Sequence, residues 1–159
     1  MVLHIIKGFH YSTFLPRIYK PGIIKTVKVK FDKSCAYNIG EKSCVNKLWG
    51  FSVGLFGVHK NSYRFGWTYE EDKIIIWTYS YINGKLHKER LTECEFDKEY
   101  ECSISIYDGV TFNFNGVTRT EEITELNWLF ELGFYFGGKT RAPHNMKIEF
   151  IRIKSQNTY

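Results

Sequence analysis

"KIIIWTYSYINGKLHKERL", residues 73–91, decides the fold. Two runs of strand-favouring residues meet at Asn83-Gly84. Asn and Gly accept the positive φ that a type I′ turn needs at both central positions, and the twist of that turn suits a two-residue hairpin. The stretch therefore predicts an antiparallel hairpin. By period-two alternation Ile74, Ile76 and Ile82 share one face, and Trp77, Tyr79 and Tyr81 share the other. The isoleucines read as core. The aromatic row reads either as a second buried face or as an exposed platform for a glycan or another subunit.

The same pattern continues on both sides. In "ECSISIYDGVTFNFNGVTRTEE" (101–122), Asp108-Gly109 predicts a second hairpin and Asn115-Gly116 a further turn, with Ile104, Ile106, Phe112 and Phe114 facing inward. "GIIKTVKVKF" (22–31) alternates as a half-buried strand, and its lysines suggest a charged sheet edge. "LWGFSVGLFGV" (48–58) reads as a strand buried on both faces or bulged at Gly54 and Gly57. A short helical turn is expected around 122–130 and a strand over 131–138. "MKIEFIRI" (146–153) reads as a strand packed on both sides. Many short strands between turn dipeptides predict an all-β, two-sheet antiparallel β-sandwich in a single domain, 1–159.

Composition narrows the partners. Twenty-two Lys and Arg against 17 Asp and Glu give a net charge of +5, scattered along the chain. The densest group, Lys25, Lys28, Lys30 and Lys33, falls on the alternating strand, and no nucleic-acid recognition motif accompanies it, so nucleic acid is not an expected partner. Aromatics reach 18%, more than a minimal core needs, which points to rings left over for a partner-facing surface. Cys35, Cys44, Cys94 and Cys102 lack CxxC spacing; free thiols are expected, with a Cys94–Cys102 bridge left open. The first residues lack the pattern of a signal peptide, and no run is long enough to span a membrane, so synthesis in the cytoplasm is expected.

The strand–turn–strand "ECSISIYDGVTFNFNGV" and the glycine-rich closing pair "ELGFYFGGKTRAPHNMKIEFIRI" resemble the concanavalin A-like lectin/glucanase jelly roll. With residues 48–84 the likeness covers about two-thirds of the chain. "HKNSYRFGW", the 73–85 hairpin and "FYFGGKTRAPHNMKI" look like small proteins of crAss-like bacteriophages of Bacteroidetes. That resemblance implies a virion or tail component built on a lectin-like sandwich. Glycosidases of the superfamily carry an E-x-D-x-x-E strand, which this chain lacks; Glu93, Glu95, Asp97 and Glu99 read as a charged connection. Calcium-binding lectins of the superfamily use an Asp/Asn loop, for which Asp108, Asn113 and Asn115 are the candidates, although all fit hairpin turns first.

Candidate binding residues centre on "HKNSYRFGW" (59–67). Read as a strand, it places His59, Asn61, Tyr63 and Trp67 on one face and Arg64 on the other. The first set would line a concave sheet, with Trp67 stacking on a sugar ring and the polar groups meeting hydroxyls. The other reading is a tight loop in which Asn61 and Ser62 satisfy backbone groups while Arg64 pairs with an acid. "KTRAPHN" (139–145) could bring Arg141 and His144 beside His59, or simply cap a turn around Pro143. Two histidines without a third ligand do not make a metal site, and no cofactor is implied. The expected function is non-enzymatic: a lectin-like module that docks to other virion proteins, to host glycan, or to a second copy of itself. The candidate ligand contacts are His59, Asn61, Tyr63, Arg64, Trp67, Trp77, Tyr79, Tyr81, Arg141 and His144. The rival is a polysaccharide lyase or glycoside hydrolase of jelly-roll fold. It would need Tyr63, His59 and Arg64 in one groove, and strand alternation separates Arg64 from the other two.

Overall fold

The structure is a computed structural model that describes residues 1–38 and 44–153. Its strands are β1 (Val2–Ile5), β2 (Ile18–Tyr19), β3 (Ile23–Phe31), β4 (Asn46–Val53), β5 (Ser62–Glu70) and β6 (Lys73–Ile82). They continue with β7 (Lys85–Cys94), β8 (Glu99–Ile106), β9 (Val110–Phe114), β10 (Val117–Glu121), β11 (Leu129–Leu132) and β12 (Met146–Ile153). Two six-stranded sheets form, ordered β1-β12-β3-β8-β9-β10 and β2-β11-β4-β5-β6-β7. Every pairing in them is antiparallel, so the molecule is the expected jelly-roll sandwich.

The turn chemistry explains the hairpins. Asn83 and Gly84 have φ of 50° and 78° between paired Ile82 and Lys85, as a type I′ turn requires. Asn115 and Gly116, at 48° and 93°, close β9 onto β10 in the same way. At Asp108-Gly109 a hairpin forms by a different loop. Ile106 pairs with Val110, Tyr107 joins the connection, and neither Asp108 nor Gly109 takes positive φ.

The core lies between the sheets. Val27, Val29 and Phe31 of β3, Ile104 and Ile106 of β8, and Phe112 and Phe114 of β9 face Phe51, Tyr63, Phe65, Trp67, Ile74 and Ile76. Rings interlock across it: Phe65 meets Phe112 and Phe114 edge-on, and Phe31 tilts against Trp67.

Several expectations change. β3 is not an edge strand, because β12 and β8 pair with it on either side. Lys28 and Lys30 are outward residues that meet acids on neighbouring strands, Lys28 with Glu99 and Lys30 with Glu149. The charged edge is β7, whose exposed run from Lys85 to Arg90 protects open backbone groups from further pairing. No helical turn forms at 122–128. That segment's polar groups bond sideways: the Trp128 carbonyl accepts from Gly54 N–H, and Thr124 Oγ1 donates to Asn83 Oδ1. β11 stops at Leu132, where Phe14 covers Gly133 so closely that a Cβ would collide with the ring. β12 is packed on one side only; Ile151, on the other, is 46% exposed. β4 is buried on both faces, as one reading of 48–58 expected, but its bulge falls at Lys47/Trp49 and the strand ends before Gly54. Cys94 and Cys102 are free thiols, as expected, and both are buried. Among the described residues no helix is long and apolar enough to cross a membrane.

Candidate functional site

The register of β5 and β6 sets the site. Tyr63, Phe65 and Trp67 point into the core, so Ser62, Arg64 and Gly66 point outward. On β6, Ile74, Ile76, Thr78 and Ser80 are inward, which leaves Trp77, Tyr79 and Tyr81 on the outer face. Arg64 lies directly opposite Tyr79 on β6 and opposite Gly50 on β4. A Cβ at Gly50 would strike the Tyr63 carbonyl and the Arg64 stem, so glycine is what lets the arginine cross β4.

These residues floor a groove of about 630 Å³, walled by Tyr11, Lys47, His59, Tyr81 and Tyr135. Arg64 is only 8% exposed. Its Nη2 donates to the Gly133 carbonyl at 2.6 Å, its Nε has no partner, and no carboxylate among the described residues lies within ion-pair distance. Burial pushes its pKa down to about 10, so it stays charged at neutral pH. Lys47 Nζ donates to the Gly137 carbonyl and lies 4.8 Å from the Tyr79 ring centre and 5.7 Å from that of Tyr135. Burial, and then the Arg64 charge, push the Lys47 ammonium down to about 8. Burial and then Tyr81 raise the Tyr79 phenol to about 12, so it remains a neutral donor. His59 meets Tyr81 edge-on at 5.3 Å, and Tyr135 stacks on His10 at 4.9 Å.

The candidates from the sequence separate into groups. His59 belongs to a 3-10 turn, Gly57–His59, and not to the strand; the turn moves it to the same side as Arg64. His59, Arg64, Tyr79 and Tyr81 therefore share the groove. Tyr63 and Trp67 are sealed in the core at 0% exposure and cannot meet a ligand. The face assigned to them as a binding surface is the one that the second sheet covers. The Tyr63 hydroxyl donates inward, to the Glu122 carbonyl, so the Tyr63–His59–Arg64 catalytic set does not assemble. Asn61 is a staple: its Oδ1 accepts from Asn83 N–H and Thr124 Oγ1, and its Nδ2 donates to Glu125. Ser62 Oγ donates to the Val58 carbonyl, as the tight-loop reading expects, but Arg64 finds no acid.

Trp77 is half-buried beside the groove and donates from its indole to Thr68 Oγ1. Arg141 is exposed, and His144 Nε2 bonds with the Ser34 carbonyl at 2.7 Å; neither reaches the groove to join His59. Asn113 Oδ1 accepts the Gly116 N–H within its own turn. Among the described residues no three metal-ligating side chains cluster. Lys47, Tyr11 and Tyr135 are groove residues that the sequence reading did not single out. Only Tyr135 carried a signal, as the outward member between Phe134 and Phe136.

No protein-family model matches the chain, and no curated protein does. Solved structures share its fold. An alginate lyase from Pseudomonas aeruginosa superposes with a TM-score of 0.58 at 9% identity, over 82% of this chain and 62% of that one. A polysaccharide lyase of family 18 gives a TM-score of 0.53 at 9% identity, over 95% of this chain and 83% of that one. A family 7 alginate lyase crystallised with product gives 0.53 at 11% identity, over 84% and 62%. The chain thus spans about three-fifths of the length of the two alginate lyases it matches. At such identities the likeness is one of fold.

Proposed function

We propose that the protein is a non-enzymatic, lectin-like module that binds an acidic glycan in the groove over β4, β5 and β6. The observation that carries this reading is Arg64, a buried guanidinium without a carboxylate, on the floor of a tyrosine-walled groove. Desolvating a cation without a counter-ion costs several kcal/mol. A ligand carboxylate or sulfate would supply the missing charge, and Arg presents a planar fork suited to it. Lys47 adds a second cation, while Tyr81 offers ring surface for sugar C–H groups and Tyr79 and Tyr135 offer hydroxyls for sugar oxygens. The solved structures of the same fold include a lyase crystallised with its product, which supports a sugar chain as the occupant. The resemblance to tailed-phage proteins supports a setting in a virion or tail, where such a module would grip host surface glycan while docked to other virion proteins or to a second copy of itself.

The test is isothermal titration with alginate, polygalacturonate and neutral glucan oligosaccharides. Binding of an acidic oligosaccharide but not the neutral one, weakened about tenfold or more by Arg64→Ala, is expected. Equal binding of neutral and acidic chains, or none at all, would refute the reading. Appearance of unsaturated chain ends during the titration would instead favour a lyase.

A further inference from the structure

A second cleft, of about 290 Å³, opens between the β2 edge of one sheet and β3 and β12 of the other. Its charges do not balance. Lys25 and Arg152 occupy inward register positions, Lys25 in line with Val27, Val29 and Phe31, and Arg152 in line with Ile148 and Phe150. Arg17 joins them from the segment before β2. Facing these three cations is one carboxylate, Glu131, whose side chain is 1% exposed.

That carboxylate is already occupied. Its Oε1 accepts from Trp49 Nε1 at 2.9 Å and Arg152 Nε at 3.1 Å, and its Oε2 accepts from Arg152 Nη2 at 3.0 Å. Arg17 and Lys25 have no carboxylate within ion-pair distance among the described residues. Both attend Tyr19 instead. Arg17 lines the cleft beside it, and Lys25 Nζ sits 4.6 Å from its ring centre. Lys25 is half-exposed, so water now solvates an ammonium that no acid meets, and an oxyanion entering the cleft would take the place of that water.

We propose that this cleft is a second oxyanion site, distinct from the groove. It would take a carboxylate, sulfate or phosphate group, with Arg17 and Lys25 as charged donors and the Tyr19 hydroxyl as a neutral one. Charge-assisted hydrogen bonds to an oxyanion strengthen in such a partly enclosed setting, where water screens less. Glu131 borders both the cleft and the groove, but its carboxylate is engaged by Trp49 and Arg152, so the two sites have separate donors.

The test is a titration of the isotopically labelled protein with sodium sulfate, phosphate and glucuronate at constant ionic strength, read by backbone amide shifts. Saturable shifts at Arg17, Tyr19, Lys25, Thr26 and Ile153 are expected. The Arg17→Ala/Lys25→Ala variant should weaken them about tenfold or more, whereas Arg64→Ala should leave them unchanged. Arg17 is exposed and Lys25 half-exposed, so the variant should keep the native amide dispersion; Arg17→Gln alone serves as a milder second variant. Glucuronate binding more tightly than the inorganic ions would identify a sugar acid as the source of the anion; equal binding would identify a free oxyanion. Shifts that rise linearly without saturating, or that persist in both variants, would overturn the proposal. Because Arg64→Ala disables the groove alone, loss of groove binding leaves this outcome readable.

Discussion

Arg64 and Lys47 show how single positions set the chemistry of the groove. Arg64 contributes little to holding the fold, since its one hydrogen bond, to the Gly133 carbonyl, is offset by the desolvation of its charge. Arg64→Met should therefore leave stability unchanged or raise it by about 1–3 kcal/mol in urea melts while lowering affinity for acidic oligosaccharide about tenfold or more. Lys47 should make that affinity depend on pH. Its folded pKa of about 8 lies below the ordinary 10.5, so between those values the unfolded chain binds more protons, and this group makes folding more favourable as pH rises. Binding runs the other way, because the same deprotonation removes a cation from the groove. Affinity should fall as pH rises from 7 to about 9, and Lys47→Met should flatten the profile. Titrations at a series of pH values, with the Lys47 side-chain carbon shifts read in parallel, check both points.

At the scale of elements, the turns are the most legible part of the chain. Asn83-Gly84 and Asn115-Gly116 specify their hairpins because positive φ is a local requirement of the backbone. Gly84, at φ of 78°, should not tolerate a side chain, and Gly84→Ala is expected to lower unfolding free energy by about 1–2 kcal/mol in denaturant titrations. Asp108-Gly109 looked the same in sequence but closed a longer loop, because Tyr107 left the ladder as well. "HKNS" was half legible. Its loop role follows from short polar side chains that bond to nearby backbone, as Asn61 and Ser62 do. The consequence was hidden: once residues 57–59 form a turn, the alternation extended back from β5 no longer applies to His59. The segment 122–128 resembled a helix by composition, yet its partners lie on β5 and on the loops after β4 and β6, far away in sequence.

On the scale of the whole molecule, Glu131 and Arg152 tie the two sheets together. Glu131 belongs to β11 in one sheet and Arg152 to β12 in the other, and Trp49 of β4 closes the group. Removing one member strands the other's charge against the core, so Glu131→Leu should cost about 3 kcal/mol in chemical denaturation. Arg152→Met should cost at least as much, because the carboxylate left behind is the more deeply buried partner. The groove and the charged cleft are likewise products of assembly. Tyr11, Lys47, Arg64, Tyr79 and Tyr135 are far apart in the chain and meet only when β4, β5, β6 and the 133–138 segment lie side by side. Fold class, the strands of the two Asn-Gly hairpins, β3 and β12, and two of the turns could be read from residue order alone, because alternation and backbone torsion are short-range properties. Which face of each strand the second sheet covers is a long-range outcome. It buried Trp67 and Tyr63, exposed Arg64 to the groove and moved β3 from the edge to the interior, because burial depends on which strands become neighbours.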